Sequence, residues 1–399
     1  MEDFRKLVTI RTIDGLFPID GADAIEVAQV DGWKVVVKKG DFSVGDACCY
    51  FEIDSFLPDG NPAWQFLVDK QPKMMDGLRG HRLRTIKLRG QTSQGFVLHI
   101  SALPVVQDFM QECAGPVVST SFDGSSVDFV SPYGVDLSDL VGVKKFEAPL
   151  PAALAGQAEG LFPSFIRKTD QERCQNLHGE IFGYEDQVIP ANEKLGRPEI
   201  IRPAKAQRNA RYEVTVKLDG SSMTAFVRAS EQGPKVGVCS RNLELKISEA
   251  NAGNSFVHML EDTKLDSALV RFHEQTGREI AVQGELMGPS IQGNREALVR
   301  PTLYVFDIYD IQAGLHVGPV ERRQILNVLR EIAQEIQHIP VLHESITLDE
   351  LGITNIDELL KFAEGPSVKH AVREGVVLKR LDGEFSFKAI SQKFLLAEK

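Results

Sequence analysis

Residues 212–227 read YEVTVKLDGSSMTAFV, and the chemistry and architecture of the chain turn on this stretch. Alternation places Tyr212, Val214, Val216 and Leu218 on one face of an extended strand, and Glu213, Thr215, Lys217 and Asp219 on the other. Gly220 and Ser221 are turn residues, and 222–228 is expected to return as the second strand of a hairpin. Lys217 then stands near a strand end with a carboxylate on its own face. The motif is short. Alone, it fits a surface Lys–Asp pair beside a turn as well as it fits a reactive lysine.

Further along, polar residues interrupt apolar strands in a fixed order. Gly284-Glu285-Leu286 follows Ile280, Ala281 and Val282. Phe306-Asp307-Ile308 lies in the next apolar run, followed by REGVVLK at 373–379 and SFKA at 386–389. Strands are predicted at 212–218, 222–228, 236–240, 279–286, 301–309, 374–380 and 385–390, with helical periodicity at 254–274, 319–336 and 355–363. Residues 161–399 therefore read as an α+β domain built mainly on antiparallel sheets. Residues 177–210, broken by Gly and Pro, read as an inserted excursion with no assigned role. Towards the N-terminus, 33–38 (WKVVVK), 47–53 (ACCYFEI), 82–89 and 95–100 (GFVLHI) are short strands between Gly/Asp/Pro turns. That spacing predicts a small OB-like β-barrel over residues 1–145, a form that binds nucleic acid on one face. Residues 146–160, rich in Ala, Pro and Gly, are expected to be a linker.

The whole chain has 399 residues and a net charge of −11. The acidity counts against a protein that coats nucleic acid indiscriminately. It leaves room for a local basic surface, and RGHRLRTIKLR at 79–89 holds five cations and no acid. Such a run is ordinarily a solvated face; its place in an OB-like domain makes Arg82, Arg84, Lys87 and Arg89 candidates for nucleic-acid contact. No stretch approaches the ~20 apolar residues of a membrane span. The charged start, Met1-Glu-Asp-Phe-Arg-Lys, lacks the apolar run of a secretory signal. The expectation is an intracellular, cytoplasmic monomer, with nuclear or organellar addresses left open. The five cysteines, Cys48, Cys49, Cys113, Cys174 and Cys239, show no paired CxxC spacing and are expected to be reduced, mostly buried thiols.

The ordered set KLDG (217–220), SRN (240–242), GEL (284–286), FDI (306–308), EGVV (374–377) and SFKAIS (386–391) resembles the covalent nucleotidyltransferase superfamily of DNA ligases, RNA ligases and mRNA capping enzymes. KTDQERCQN at 168–176 resembles the entry segment of the RNA ligase family that includes the Deinococcus and Naegleria enzymes. GWKVVVKKGDFSVGD (32–46), YFEIDSFLP (50–58) and IKLRGQTSQG (86–95) are similar to that family's N-terminal OB-like domain. One departure is at 386–388, where the family's paired KxK lysines are often found and this chain has Ser-Phe-Lys.

The resemblance implies an ATP-dependent RNA ligase that joins 3′-hydroxyl and 5′-phosphate ends, at nicks in duplex nucleic acid, through a lysyl-AMP on Lys217. It further implies that Val216, Arg173, Arg241, Glu285, Phe306, Glu374 and Lys388 surround the nucleotide. In that reading Phe306 stacks on adenine, Arg241 and Glu285 reach the ribose, and Arg173 meets the phosphates. Lys388, alone or helped by Lys379, contacts phosphate. Asp219, Glu285 and Glu374 would surround a hydrated Mg²⁺ or Mn²⁺, an arrangement that suits hard oxygen donors. The bland readings are plain core packing for Phe306 and a helix-surface ion pair for Arg173. A DNA ligase, a ligase of mixed RNA/DNA strands, and a nucleic-acid-binding protein with an inactive ligase-like domain stand as alternatives.

Overall fold

The computed structural model describes residues 6–67, 72–113, 117–118, 127–128, 132–146, 156–183, 187–189, 199–201 and 206–397. The chain divides into two compact units, Met1–Leu150 and Pro151–Lys399.

In the first unit the alternating run Trp33–Lys38 buries Trp33, Val35 and Val37 and turns Lys34, Val36 and Lys38 outward, as the pleat requires. It pairs with Ile25–Val30, which pairs in turn with Gly15–Pro18. A second small sheet sets Ala47–Phe51 between Val8–Thr12 and Phe96–His99, all antiparallel. Its core gathers Val8, Ile10, Cys49, Phe51, Leu57, Trp64, Leu103 and Val106. The basic segment departs from the single strand expected at 82–89. Leu78–Arg82 pairs with Ser55–Pro58, the ladder stops, and Ile86–Leu88 pairs with Gln91–Ser93 as a separate hairpin. Its two-residue turn, Arg89-Gly90, has left-handed φ at both positions, 48° and 84°. That twist matches paired strands and ends the run.

The second unit holds two sheets. The larger runs in the order Ala158–Leu161, Leu243–Leu245, Lys235–Cys239, Ser221–Arg228, Ile280–Met287, Thr302–Asp310, Leu315–His316, with Gln337–His338 parallel to Thr302–Asp310. One face carries Met223, Ala225, Val227, Ile280, Val282, Leu303 and Val305 against the helices. Helix Leu265–Thr276 supplies Leu265, Ala268, Leu269 and Phe272, the i, i+3, i+4, i+7 stripe of a helix packed on one side. Gly277, at φ 69°, closes it. The smaller sheet runs Glu172–Arg173, Ser386–Ile390, Gly375–Arg380, Tyr212–Lys217, Val341–Ile346. Helix Ile356–Ala363 covers it, with Leu359 and Leu360 against Tyr212, Val214, Leu378 and Phe387.

Two further expectations are corrected. The linker at 146–160 ends sooner than composition suggested: Ala158–Leu161 is an edge strand paired with Leu243–Leu245, while 147–155 lie outside the described residues. The KLDG hairpin does not form. Tyr212–Lys217 belongs to the smaller sheet and Ser221–Arg228 to the larger, so Leu218–Gly220 carries the chain from one sheet to the other. Gly220 does not adopt the positive φ that a two-residue hairpin turn demands. It is needed for close approach instead: a Cβ there would lie 2.5 Å from the Leu286 carbonyl oxygen. Within 177–210, Gln187–Ile189 pairs with Glu199–Ile201, and the intervening 190–198 lie outside the described residues.

Candidate active site

Lys217 is the last residue of its strand and sits opposite Gly375 across the ladder. The next residue back on that partner is Glu374, whose Oε2 accepts a hydrogen bond from Lys217 Nζ at 2.8 Å. Gly375 is fixed by space, since a Cβ there would lie 2.2 Å from the Ala389 carbonyl oxygen. From the larger sheet, Glu285 lies opposite Ser222, and its Oε1 accepts from the Gly220 amide at 2.9 Å. The crossover thus brings acids from both sheets to one lysine. Burial works against the Lys217 charge, but Glu374 and Glu285 outweigh it, with Asp170 adding, and raise its pKa above the ordinary value. Glu285 is pushed up to about 7 by burial; the Lys217 charge opposes the shift, and Glu374 and Asp219 reinforce it.

A second group forms along the edge of the smaller sheet. Glu172–Arg173 runs parallel to Ser386–Ile390 and places Arg173 beside Lys388. Arg173 is a buried strand residue, so its helix-surface reading is set aside. Lys388 Nζ lies 2.6 Å from Asp170 Oδ1, and Arg241, from the larger sheet's side, lies 3.7 Å from Asp170 Oδ2. Asp219 stands 4.0 Å from Arg295. The Arg295 guanidinium lies 4.6 Å above the Phe394 ring.

Phe306 is half-buried and packs beside Val216, Leu218, Met287 and Ile339. Lys379, the expected helper of Lys388, is engaged by other groups. Its Nζ is 2.6 Å from Asp307 and donates to the Phe306 carbonyl at 2.8 Å, buried between the sheets. Burial would raise Asp307, but Lys379, His316 and Arg322 outweigh it and hold its carboxyl below the ordinary value.

Among the described residues, no three His, Cys, Asp or Glu side chains stand close enough together to form an all-protein metal cage. The donors near Lys217 are Asp219, Glu285 and Glu374, all carboxylates. Hard oxygen ligands set apart in this way fit a cation that keeps much of its water, as Mg²⁺ does.

In the first unit the four candidate cations separate. Arg82 donates to Asp54 at 2.7 Å and lies over the Phe146 ring, which makes it a brace. Arg84 is half-buried, whereas Lys87 and Arg89 project from the hairpin beside exposed Ile86 and Leu88.

The linear pattern passed over Asp170 and Arg295. Asp170 lies inside the KTDQERCQN segment, where its pairing with Lys388, 218 residues away, leaves no local trace. Arg295 follows the turn residues Gly293 and Asn294, and nothing periodic aims it at Asp219.

Comparison with known proteins matches an OB-fold domain model to residues 7–100 and an RNA ligase model to residues 210–390. Among solved structures, the Naegleria gruberi RNA ligase with PPi is 38% identical, covers 98% of each chain and superposes with a TM-score of 0.76. A variant of the same enzyme with ATP and Mn gives 38% identity, 98% coverage of both chains and a TM-score of 0.77. Another variant, with AMP and Mn, gives 38%, 98% of both chains and 0.76. A comparison with curated protein sequences finds no match.

Proposed function

Since the chain belongs to the RNA ligase family, with an OB-fold domain ahead of the ligase domain, we propose that it seals RNA ends with ATP through a lysyl-AMP on Lys217. The observation that carries this reading is the placement of Lys217 at the crossing between two sheets. Glu374 comes from one sheet and Glu285 from the other, with the Lys388–Asp170–Arg241 cluster completing the site. ATP with Mg²⁺ or Mn²⁺ is supported by the relatives solved with ATP and Mn.

In the first step Lys217 Nζ attacks the α-phosphorus of ATP. The bond to the β-phosphate oxygen breaks, and pyrophosphate leaves with the electron pair. In the second, an oxygen of the RNA 5′-phosphate attacks the same phosphorus and releases Nζ. In the third, a 3′-hydroxyl attacks the activated 5′-phosphate, and AMP departs. The nucleophile must be a neutral amine, and lysine ordinarily holds its proton until ~10.4. The chain's own carboxylates favour the ammonium, and Glu374 Oε2 is the acceptor within reach of an Nζ proton. A divalent cation, when bound, offsets those carboxylates and neutralises developing phosphate charge. Lys388 and Arg173 supply fixed positive charge on the phosphate side. Phe306, half-buried beside Val216 and Leu218, is the aromatic ring that would stack on adenine.

Nicks in duplex RNA are the expected substrate. The Lys87–Arg89 hairpin grips the backbone through its cations, and the protein works as a monomer. The test is incubation with α-labelled ATP followed by denaturing electrophoresis. Wild type should carry a label that survives denaturation and mild alkali but is released by warm acid, as a P–N bond to lysine is; Lys217→Ala should lack it, and sealing should be lost with it. Wild-type labelling of the Lys217→Ala protein would overturn the assignment.

A further inference from the structure

Lys388 and Arg241, the two cations that the proposed reaction directs at the nucleotide, belong to different sheets, yet one carboxylate meets both. Asp170 Oδ1 is 2.6 Å from Lys388 Nζ, and Oδ2 is 3.7 Å from Arg241. Lys388 is only 10% exposed, so its charge is held in a place where water supplies little compensation. Asp170 sits in a stretch without regular structure, 167–171, just before the short strand Glu172–Arg173. Its side chain is about one-third exposed (32%). A carboxylate that spans two cations in this manner resembles a phosphate: two oxygens on one centre, one accepting a charge-assisted hydrogen bond from Lys388 and the other in an ion pair with Arg241.

Resting on the ligase reading, we propose that Asp170 is a positioning residue that occupies the place of the nucleotide phosphate on Lys388, with Arg241 held on the ribose side of the same contact, and yields it when phosphate arrives. Holding the two cations from opposite sheets keeps them converged on one point before substrate enters. The same contact competes with the incoming anion and re-forms as pyrophosphate leaves, which favours its release. The apparent affinity for a phosphate anion falls by the fraction of molecules in which the cations are free. A pair closed about nine-tenths of the time costs roughly tenfold in affinity.

The experiment is calorimetric titration of inorganic pyrophosphate into full-length protein stripped of AMP, with steady-state ATP kinetics alongside. Asp170→Asn keeps the size of the side chain and removes its charge. It should bind pyrophosphate about tenfold more tightly and lower KM for ATP without raising kcat. The tightening should vanish when Lys388→Met is added. Unchanged or weaker pyrophosphate binding by Asp170→Asn would overturn the proposal, because a residue that only braces the loop, or that itself contacts the nucleotide, gives loss rather than gain. The two readings fail separately. If wild type forms no lysyl-AMP, the ligase chemistry falls whatever the titration shows. If wild type labels normally and Asp170→Asn shows no tightening, only the role of Asp170 falls.

Discussion

Arg322→Met removes a guanidinium that has no exposed surface, and the structure sets the scale of the damage. Arg322, on helix Pro319–Leu329, pairs with Glu213 from the smaller sheet, which is equally buried. Its NH1 lies 4.0 Å from Asp307 in the larger sheet, and Asp307 in turn holds Lys379 from the smaller one. The network ties helix and sheets together beneath Phe306. At ~4 Å and an effective dielectric of ~20, one such contact is worth about 4 kcal/mol before desolvation. Removing one partner of a buried pair costs about 3–5 kcal/mol, because the other charge stays inside uncompensated. Arg323 also reaches Glu213, but it is 28% exposed and makes up only part of the loss. For a unit of this size each kcal/mol moves Tm by about 2–4 °C, so the transition should fall by roughly 6–20 °C in scanning calorimetry. The double variant Glu213→Leu/Arg322→Met should recover most of that, since it strands no buried carboxylate at 213. Asp307, held below its ordinary pKa, contributes stability that is complete above the unfolded value and lost as pH falls below about 4. A single variant melting within about 2 °C of wild type, or a double variant no better than the single, would refute the reasoning.

Other outcomes follow from individual contacts. Gly220→Ala should fold but seal roughly 100-fold more slowly, because its Cβ would crowd the Leu286 carbonyl at 2.5 Å and displace Glu285; wild-type single-turnover rates would contradict this. Lys87→Ala and Arg89→Ala should each flatten the log–log salt dependence of RNA binding by about 0.7–0.9. Arg82→Ala, which breaks the bond to Asp54, should instead lower thermal stability and leave the slope alone. Burial pushes the thiols of Cys48, Cys49 and Cys174 up to about 12 and raises Cys239 as well, so iodoacetamide at pH 8 should label native protein mainly at half-buried Cys113. Mass spectrometry showing equal labelling of all five would count against the buried placements.

The candidate site was legible where its signals were local. Lys217, Glu285, Phe306 and Lys388 lie on strands, and Glu374 immediately precedes one, that alternation and apolar runs located to within one or two residues. Their order along the chain carried the family resemblance. The helices at 254–274 and 355–363 were likewise visible, though the first is two helices, Ser255–Asp262 and Leu265–Thr276, broken at Lys264 with its left-handed φ. Charge counting was less informative. It grouped Arg82 with Lys87 and Arg89, although Asp54 engages the first and the other two project from a separate hairpin.

What the sequence determined by itself is therefore the longer strands around 212–228, 236–240, 279–309 and 374–390 and their apolar faces, because period-two burial acts over a few residues. Only the tertiary structure decided that the KLDG strands part into different sheets, that Lys379 pairs with Asp307, and that Asp170 bridges Lys388 and Arg241. Each of those outcomes depends on which distant backbone pairs with which. Alternation is the same in a hairpin as in a crossover. The choice between them is made by the whole packed core, where Leu218 buries beside Met287 and Ile339 and Gly220 alone is small enough to pass the Leu286 carbonyl.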